Sequence, residues 1–166
     1  MLKEKGNIGA AKDAILKEIK EAVGTPSLGR IKKISELIPD LPADLVIGNN
    51  VLAHVPDIND FVAGITTLLG PEGVATLEFP HLLELVLKRQ FDTVYHEHFS
   101  YLSLHVVRRI FSAHGLRIWD VESLPTHGGS LRVWACRDDA SRADCPAVEA
   151  MAAAIDARSD AQVINV

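Results

Sequence analysis

The chain has 166 residues, enough for about one domain with a real hydrophobic core. With 48% hydrophobic residues and a net charge of −5 it has a soluble globular composition, without the basic excess of a nucleic-acid binder. No run approaches the roughly 20 apolar residues of a membrane span, and the N-terminus lacks the apolar core of a signal peptide, so neither nucleic acid nor membrane is expected as a partner.

In chain order, Ala10 to Val23 places Ile15, Ile19 and Val23 on one face and Lys and Glu on the other, which predicts an amphipathic helix broken by Gly24, Pro26 and Gly29. A second short helix is expected over Ile31 to Leu37, stopped by Pro39 and Pro42. Asp44 to Asn49 is nearly all apolar and ends in two asparagines, the form of a buried parallel strand. Pro56-Asp57 announces a helix over Ile58 to Leu69, and a Gly70 to Gly73 turn leads to a second buried strand, VATLEF, giving a β-α-β unit. Val106 to His114 predicts a helix stopped by Gly115. The runs LRIWDVESL and LRVWACR, joined through Gly128-Gly129, predict an edge hairpin. Ala147 to Arg158 is Ala-rich and helical, with little apolar bulk to dock it. The expected division is a helical segment 1–42, an α/β domain 43–138 and a helical tail 139–166. The two cysteines, Cys136 and Cys145, have no C-x-x-C spacing and fit a reducing, cytoplasmic setting.

In open α/β sheets ligands bind beyond the carboxyl ends of the strands. Here those ends carry Asn49-Asn50 with His54 just beyond, and Glu78 on the neighbouring strand. The segment FDTVYHEHFSYLS, with Tyr95, His96, Glu97 and His98 side by side, follows closely enough to fold over the same edge. Imidazole, carboxylate and phenol together suit acid–base work. Each also has an ordinary structural reading: a turn or helix cap for the asparagines, a packed imidazole for His54, a solvated strand end for Glu78.

Four segments in this order, NNVLAHVPDINDF (Asn49 to Phe61), TLEFPHLLEL (Thr76 to Leu85), FDTVYHEHFSYLSL (Phe91 to Leu104) and LPTHGGSLRV (Leu124 to Val133), closely resemble the S-adenosylmethionine-dependent sugar C-methyltransferases. The resemblance covers about Asp44 to Arg137. It implies a Rossmann-like class I methyltransferase fold, S-adenosylmethionine as cofactor, and a nucleotide-linked keto-deoxysugar as substrate. A methyl group would pass to the carbon beside the sugar ketone after loss of a proton. The match implies His98 as general base, Tyr95 and Glu97 as its partners, and His54 near the keto oxygen. It implies Asn49 and Asn50 near the cofactor, and His127 and Arg132 against the sugar nucleotide, where a Gly-Gly turn before an edge strand is the structural alternative.

Members of that family are longer, with a zinc-binding segment before the methyltransferase fold and an α/β domain after it. No apolar strand leading to a glycine-rich loop is legible before Asp44, and Gly6-Asn7-Ile8-Gly9 has no such strand ahead of it. The expectation is the second half of the methyltransferase sheet without its N-terminal strands. Catalysis by this chain alone is then not expected, and three states fit: a domain fragment, a chain that pairs with a second copy or a complementing chain supplying the missing half, or N-terminal helices that replace the lost strands merely as packing. Two alternatives stand beside the enzyme: a noncatalytic fragment binding a nucleotide-sugar or partner chain, and a metal site using His96 and His98 from an extended segment.

Overall fold

The computed structural model describes residues 42–163. The helices expected over Ala10 to Val23 and Ile31 to Leu37 lie outside the described residues. Strand β1 (Ala43–Asn49) passes through a 3-10 turn (Leu52–His54) into helix α1 (Ile58–Leu68), which returns the chain to β2 (Leu69–Pro80), parallel to β1. The α1 start follows from Asp57, whose carboxylate accepts from the Asp60 amide at 3.0 Å and satisfies a donor that the first helical turn leaves free. Phe61, Val62 and Ile65 bury its inner face.

The expected turn at Gly70 to Gly73 is instead the irregular opening of β2, where the register jumps from Ala43 opposite Leu69 to Leu45 opposite Val74. A Cβ on Gly73 would stand 2.5 Å from the Ala43 carbonyl oxygen, so the folded-over chain there requires glycine.

After β2 come a short helix α2 (Leu82–Leu87), a 3-10 turn (Phe91–Thr93) and helix α3 (Leu104–Ala113). Helix α3 begins ahead of the expected Val106 because the Ser103 hydroxyl caps it, accepting from the Val106 amide at 3.4 Å. Its buried stripe is Leu104, Val107 and Phe111, and Gly115 at φ +71° carries the left-handed residue after its end. Strands β3 (Leu116–Leu124) and β4 (Ser130–Arg137) form the expected hairpin, followed by α4 (Ala147–Val163).

The sheet order is β1-β2-β4-β3, with β4 antiparallel to both β2 and β3. This mixed α/β sheet ending in an antiparallel hairpin agrees with the expected fold class. One face carries Ala75, Leu77, Phe79, Leu131, Val133 and Ala135 into a core shared with α1, α3 and α4. Helix α4 docks better than its composition promised. Val148, Ala152 and Ile155 are buried along one side, and the Arg108–Glu149 (2.6 Å) and His105–Asp156 (2.9 Å) pairs tie it to α3. Three apolar side chains one or two turns apart suffice because they join the same core cluster as the sheet. Strand β1 departs from expectation in the other direction. Val46 packs on the core, but Leu45 and Ile47 are 55% and 62% exposed, so among the described residues β1 is an edge strand buried on one face only.

Candidate active site

At the carboxyl ends of β1 and β2 the register aligns one row of polar residues across all four strands. Asn49 lies opposite Glu78, Glu78 opposite Arg132, and Arg132 opposite Glu122. Side chains in register on one face are neighbours, so the charges meet directly. Arg132 donates to Glu78 Oε2 at 2.9 Å and to Glu122 Oε1 at 3.0 Å, and the Thr126 hydroxyl donates to Glu78 Oε1 at 2.8 Å. Burial of Glu78 would raise its pKa, but the Thr126 and Arg132 hydrogen bonds and the Arg132 charge outweigh it and hold the carboxyl below its usual range. The guanidinium named by sequence as a sugar-nucleotide contact is therefore engaged by two carboxylates of its own chain.

Beyond this row, Asn50 takes the left-handed conformation at φ 58°, which asparagine tolerates, and its amide Nδ2 donates to His127 Nε2 at 3.2 Å. The Asn50 Oδ1 atom is buried with no hydrogen-bond partner. His127 is itself at φ 51°, in the 3-10 turn Thr126–Gly128 between β3 and β4. Lys88 Nζ (2.6 Å) and Gln90 Nε2 (2.9 Å) both donate to the Gly128 carbonyl and hold that turn against the chain following α2, while Glu84 pairs with Lys88 at 3.0 Å. Asn49 is exposed at the strand end.

The histidine-rich segment folds over the 3-10 turn after β1. The Phe99 and Ser100 amides donate to the Ala53 carbonyl at 2.8 and 3.3 Å, and the His98 amide donates to the Tyr95 carbonyl at 3.1 Å, closing a turn. This brings the His54 and His98 rings to 4.7 Å between centroids, with Tyr95 4.3 Å and Tyr101 5.9 Å from His98. Each imidazole is held through Nδ1 by a backbone carbonyl: His98 by Thr93 at 2.9 Å and His54 by Glu97 at 3.0 Å. Tyr95, Glu97 and His96 are exposed, and His54 and His98 half-buried. Glu97 enters the site through its main chain; its carboxylate makes no hydrogen bond or ion pair among the described residues. The segment is turned, not extended as the metal alternative assumes.

Sequence reasoning overlooked His81, at the N-terminus of α2. It is 3% exposed, its Nε2 has no partner, and burial is the main cause that pushes its pKa down to about 4. Only a string of burial-prone neighbours, FPHLLEL, hinted at it. A separate cavity of about 250 Å³, lined by Arg108, Arg117, Asp144 and Glu149 among others, holds none of the expected site residues.

Comparison with known proteins bears on this arrangement. Residues 9–121 match the methyltransferase-domain family model. Over 111 residues, 67% of the chain, the sequence is 45% identical to C-methyltransferase NovU from Streptomyces niveus, and it spans 26% of that protein's length. Among solved structures, magnesium protoporphyrin IX methyltransferase from Synechocystis PCC 6803 with bound SAH is similar at 17% identity and a TM-score of 0.45, covering 64% of this chain and 57% of that one. The M1.HpyAVI–SAM complex is similar at 13% identity and a TM-score of 0.43, covering 67% and 51%. The family match spans more than half of the sequence and includes both β1 and the histidine-rich segment: the chain belongs to the methyltransferase-domain family, the S-adenosylmethionine-dependent enzymes.

Proposed function

We propose that this chain carries the proton-abstracting part of an S-adenosylmethionine-dependent C-methyltransferase acting on a nucleotide-linked keto-deoxysugar. The observation that carries the reading is the pairing of His54 and His98 at 4.7 Å, each anchored through Nδ1 and half-exposed at the carboxyl edge of the sheet. The identity to a protein named a C-methyltransferase favours carbon as the methyl acceptor.

A carbon beside a ketone becomes nucleophilic only on losing a proton, so the site must supply a base and a group that stabilises negative charge on oxygen. His98 is the base. The Thr93 carbonyl can only accept, so the ring nitrogen facing it bears the hydrogen and the opposite nitrogen, Nε2, holds the free lone pair. Tyr95, packed on that ring, restricts its orientation. His54 faces the keto oxygen. Asn49 and Asn50 lie where the methionine end of the cofactor would bind. The partnerless, buried Asn50 Oδ1 fits that assignment, because it needs a donor such as an ammonium group. When bound, S-adenosylmethionine supplies a methyl group on a positively charged sulfur that departs with its bonding pair.

The test is calorimetric titration of the full chain with S-adenosylmethionine and S-adenosylhomocysteine, followed by methyl transfer to keto-sugar nucleotides. Saturable binding and a carbon-methylated sugar are expected. A folded chain that binds neither ligand, alone or with a complementing chain, would leave the noncatalytic alternative.

A further inference from the structure

We infer that Arg89 and Phe91 form the nucleotide end of the substrate site, where the guanidinium takes the diphosphate and the phenyl ring stacks on the base of a nucleoside diphosphate. This rests on the sugar-nucleotide reading above and gives the charged half of that ligand a place. A guanidinium binds a diphosphate best when nothing else holds its fork, and the two terminal nitrogens of Arg132 already donate to Glu122 and Glu78. Every other arginine of the described residues except Arg89 and Arg109 is paired with a carboxylate or stacked on Trp119. Arg89 and Arg109 make no hydrogen bond or ion pair through their side chains among the described residues. Arg109 stands on α3, which packs on β3 and α1, whereas Arg89 is exposed on the chain that braces the histidine pair.

Arg89 closes α2. Its amide donates to the Val86 carbonyl at 3.2 Å and the Gln90 amide to the Leu85 carbonyl at 3.0 Å, a Schellman ending whose left-handed position, at φ 54°, falls on Arg89. Glycine or asparagine takes that position with little strain, so ending the helix gives no reason for arginine. A large side chain held there at a cost points to a task for its head group. The following residues tie it to the site on both sides. Gln90 Nε2 holds the Gly128 carbonyl at 2.9 Å, in the turn that carries His127, and the Thr93 carbonyl holds His98 Nδ1 at 2.9 Å. Between them the Phe91 amide donates to the Arg89 carbonyl at 3.0 Å across Gln90 at φ −83°, ψ 71°, an inverse γ-turn that fixes the backbone separating the two side chains. Phe91 is 78% exposed, the most exposed large hydrophobic residue among those described. A nucleotide-linked sugar carries a flat base at one end, two negative charges in the middle and the reacting sugar at the other. With the sugar at the histidine pair, a free planar fork and an open aromatic face in one tight turn match the remaining two parts.

Calorimetric titration of the full chain with thymidine diphosphate and uridine diphosphate tests the subsite without any turnover. Saturable binding is expected, tighter than that of inorganic pyrophosphate or of thymidine, each of which keeps only half of the contacts. Arg89→Asn should weaken nucleotide binding about tenfold or more while the melting temperature stays equal or rises, because asparagine suits the left-handed position. Phe91→Ala should weaken it about tenfold and leave pyrophosphate binding unchanged. No binding by the folded wild-type chain, unchanged affinity in Arg89→Asn, or pyrophosphate bound as tightly as the nucleotides would each overturn the inference. Arg89-dependent nucleotide binding by a chain that transfers no methyl group, alone or with a complementing chain, would support the subsite and leave the noncatalytic alternative. Methyl transfer to a keto-sugar nucleotide with KM unchanged in Arg89→Asn would do the reverse.

Discussion

The polar row across the sheet and the histidine pair above it lie at the same edge, yet their polar atoms are handled in opposite ways. In the row, Glu78 accepts from Thr126 and Arg132, and Arg132 also reaches Glu122, so its charges are matched by side chains of the same sheet. At the pair, each imidazole is secured at one nitrogen by main chain and left open at the other. Satisfied groups hold shape, and open ones are available for chemistry. The difference teaches that strong pairing within the sheet fixes the position of a side chain such as Arg132, whereas the pair leaves its reactive atoms open.

Perturbations should therefore divide into stability effects on the scaffold and near-neutral stability effects at the pair. The largest concerns His81. Its folded pKa of about 4 lies below the ordinary 6.5, so between those values the unfolded chain binds more protons. Stability should be full above pH 6.5, fall as pH drops through the window, and level off below about 4, with a total loss of up to about 3 kcal/mol. Urea unfolding across that range reads it, and His81→Leu should flatten this part of the acid dependence; an unchanged slope would remove His81 as its source.

Glu78→Ala comes next, because it leaves the Arg132 guanidinium half-compensated and Thr126 without its acceptor. The expected loss is about 2 kcal/mol, with Glu78→Gln recovering part through the Thr126 hydrogen bond. Equal losses in both variants would show that the charge alone mattered. Gly129→Ala should cost about 1–2 kcal/mol. Gly129 is at φ 136°, and a Cβ there would meet the Glu84 side chain at 2.8 Å. Smallest of all, His98→Ala should shift stability by no more than about 0.5 kcal/mol, since its ring is half-exposed and released from a single carbonyl. A loss as large as that of Glu78→Ala would make His98 scaffold too and erase the contrast.

Much of the fold was legible. The runs DLVIGN and VATLEF are apolar enough to be strands on composition alone, and Pro56-Asp57 marks the helix start between them, whereas the Ser103 cap that starts α3 ahead of Val106 went unread. The hairpin followed from Gly128-Gly129. The α4 docking was not legible, because a stripe of valine, alanine and isoleucine differs little from a solvated alanine-rich helix until its partner surface is known. Exposure of Leu45 and Ile47 was equally hidden, since apolar content does not say which strand lies at an edge.

The site shows the same boundary. Tyr95, His98 and His54 were named by residue type and resemblance, and the fold brings their rings together. The row Asn49–Glu78–Arg132–Glu122 depends on strand register, which one sequence does not reveal. Nor does any sequence signal mark the Thr93 and Glu97 carbonyls, because every residue has one. Glu97 was read as a carboxylate partner of His98. The turn closed from His98 to Tyr95 leaves Glu97 exposed and gives its carbonyl to His54 instead.

The most direct test of the account is deuterium wash-in at the carbon beside the ketone of a nucleotide-linked keto sugar, comparing the wild-type chain with His98→Ala in the presence of S-adenosylhomocysteine. The account predicts exchange in the wild type and a fall of about 100-fold or more in the variant, with cofactor affinity nearly unchanged. Equal exchange in both proteins would contradict His98 as the base.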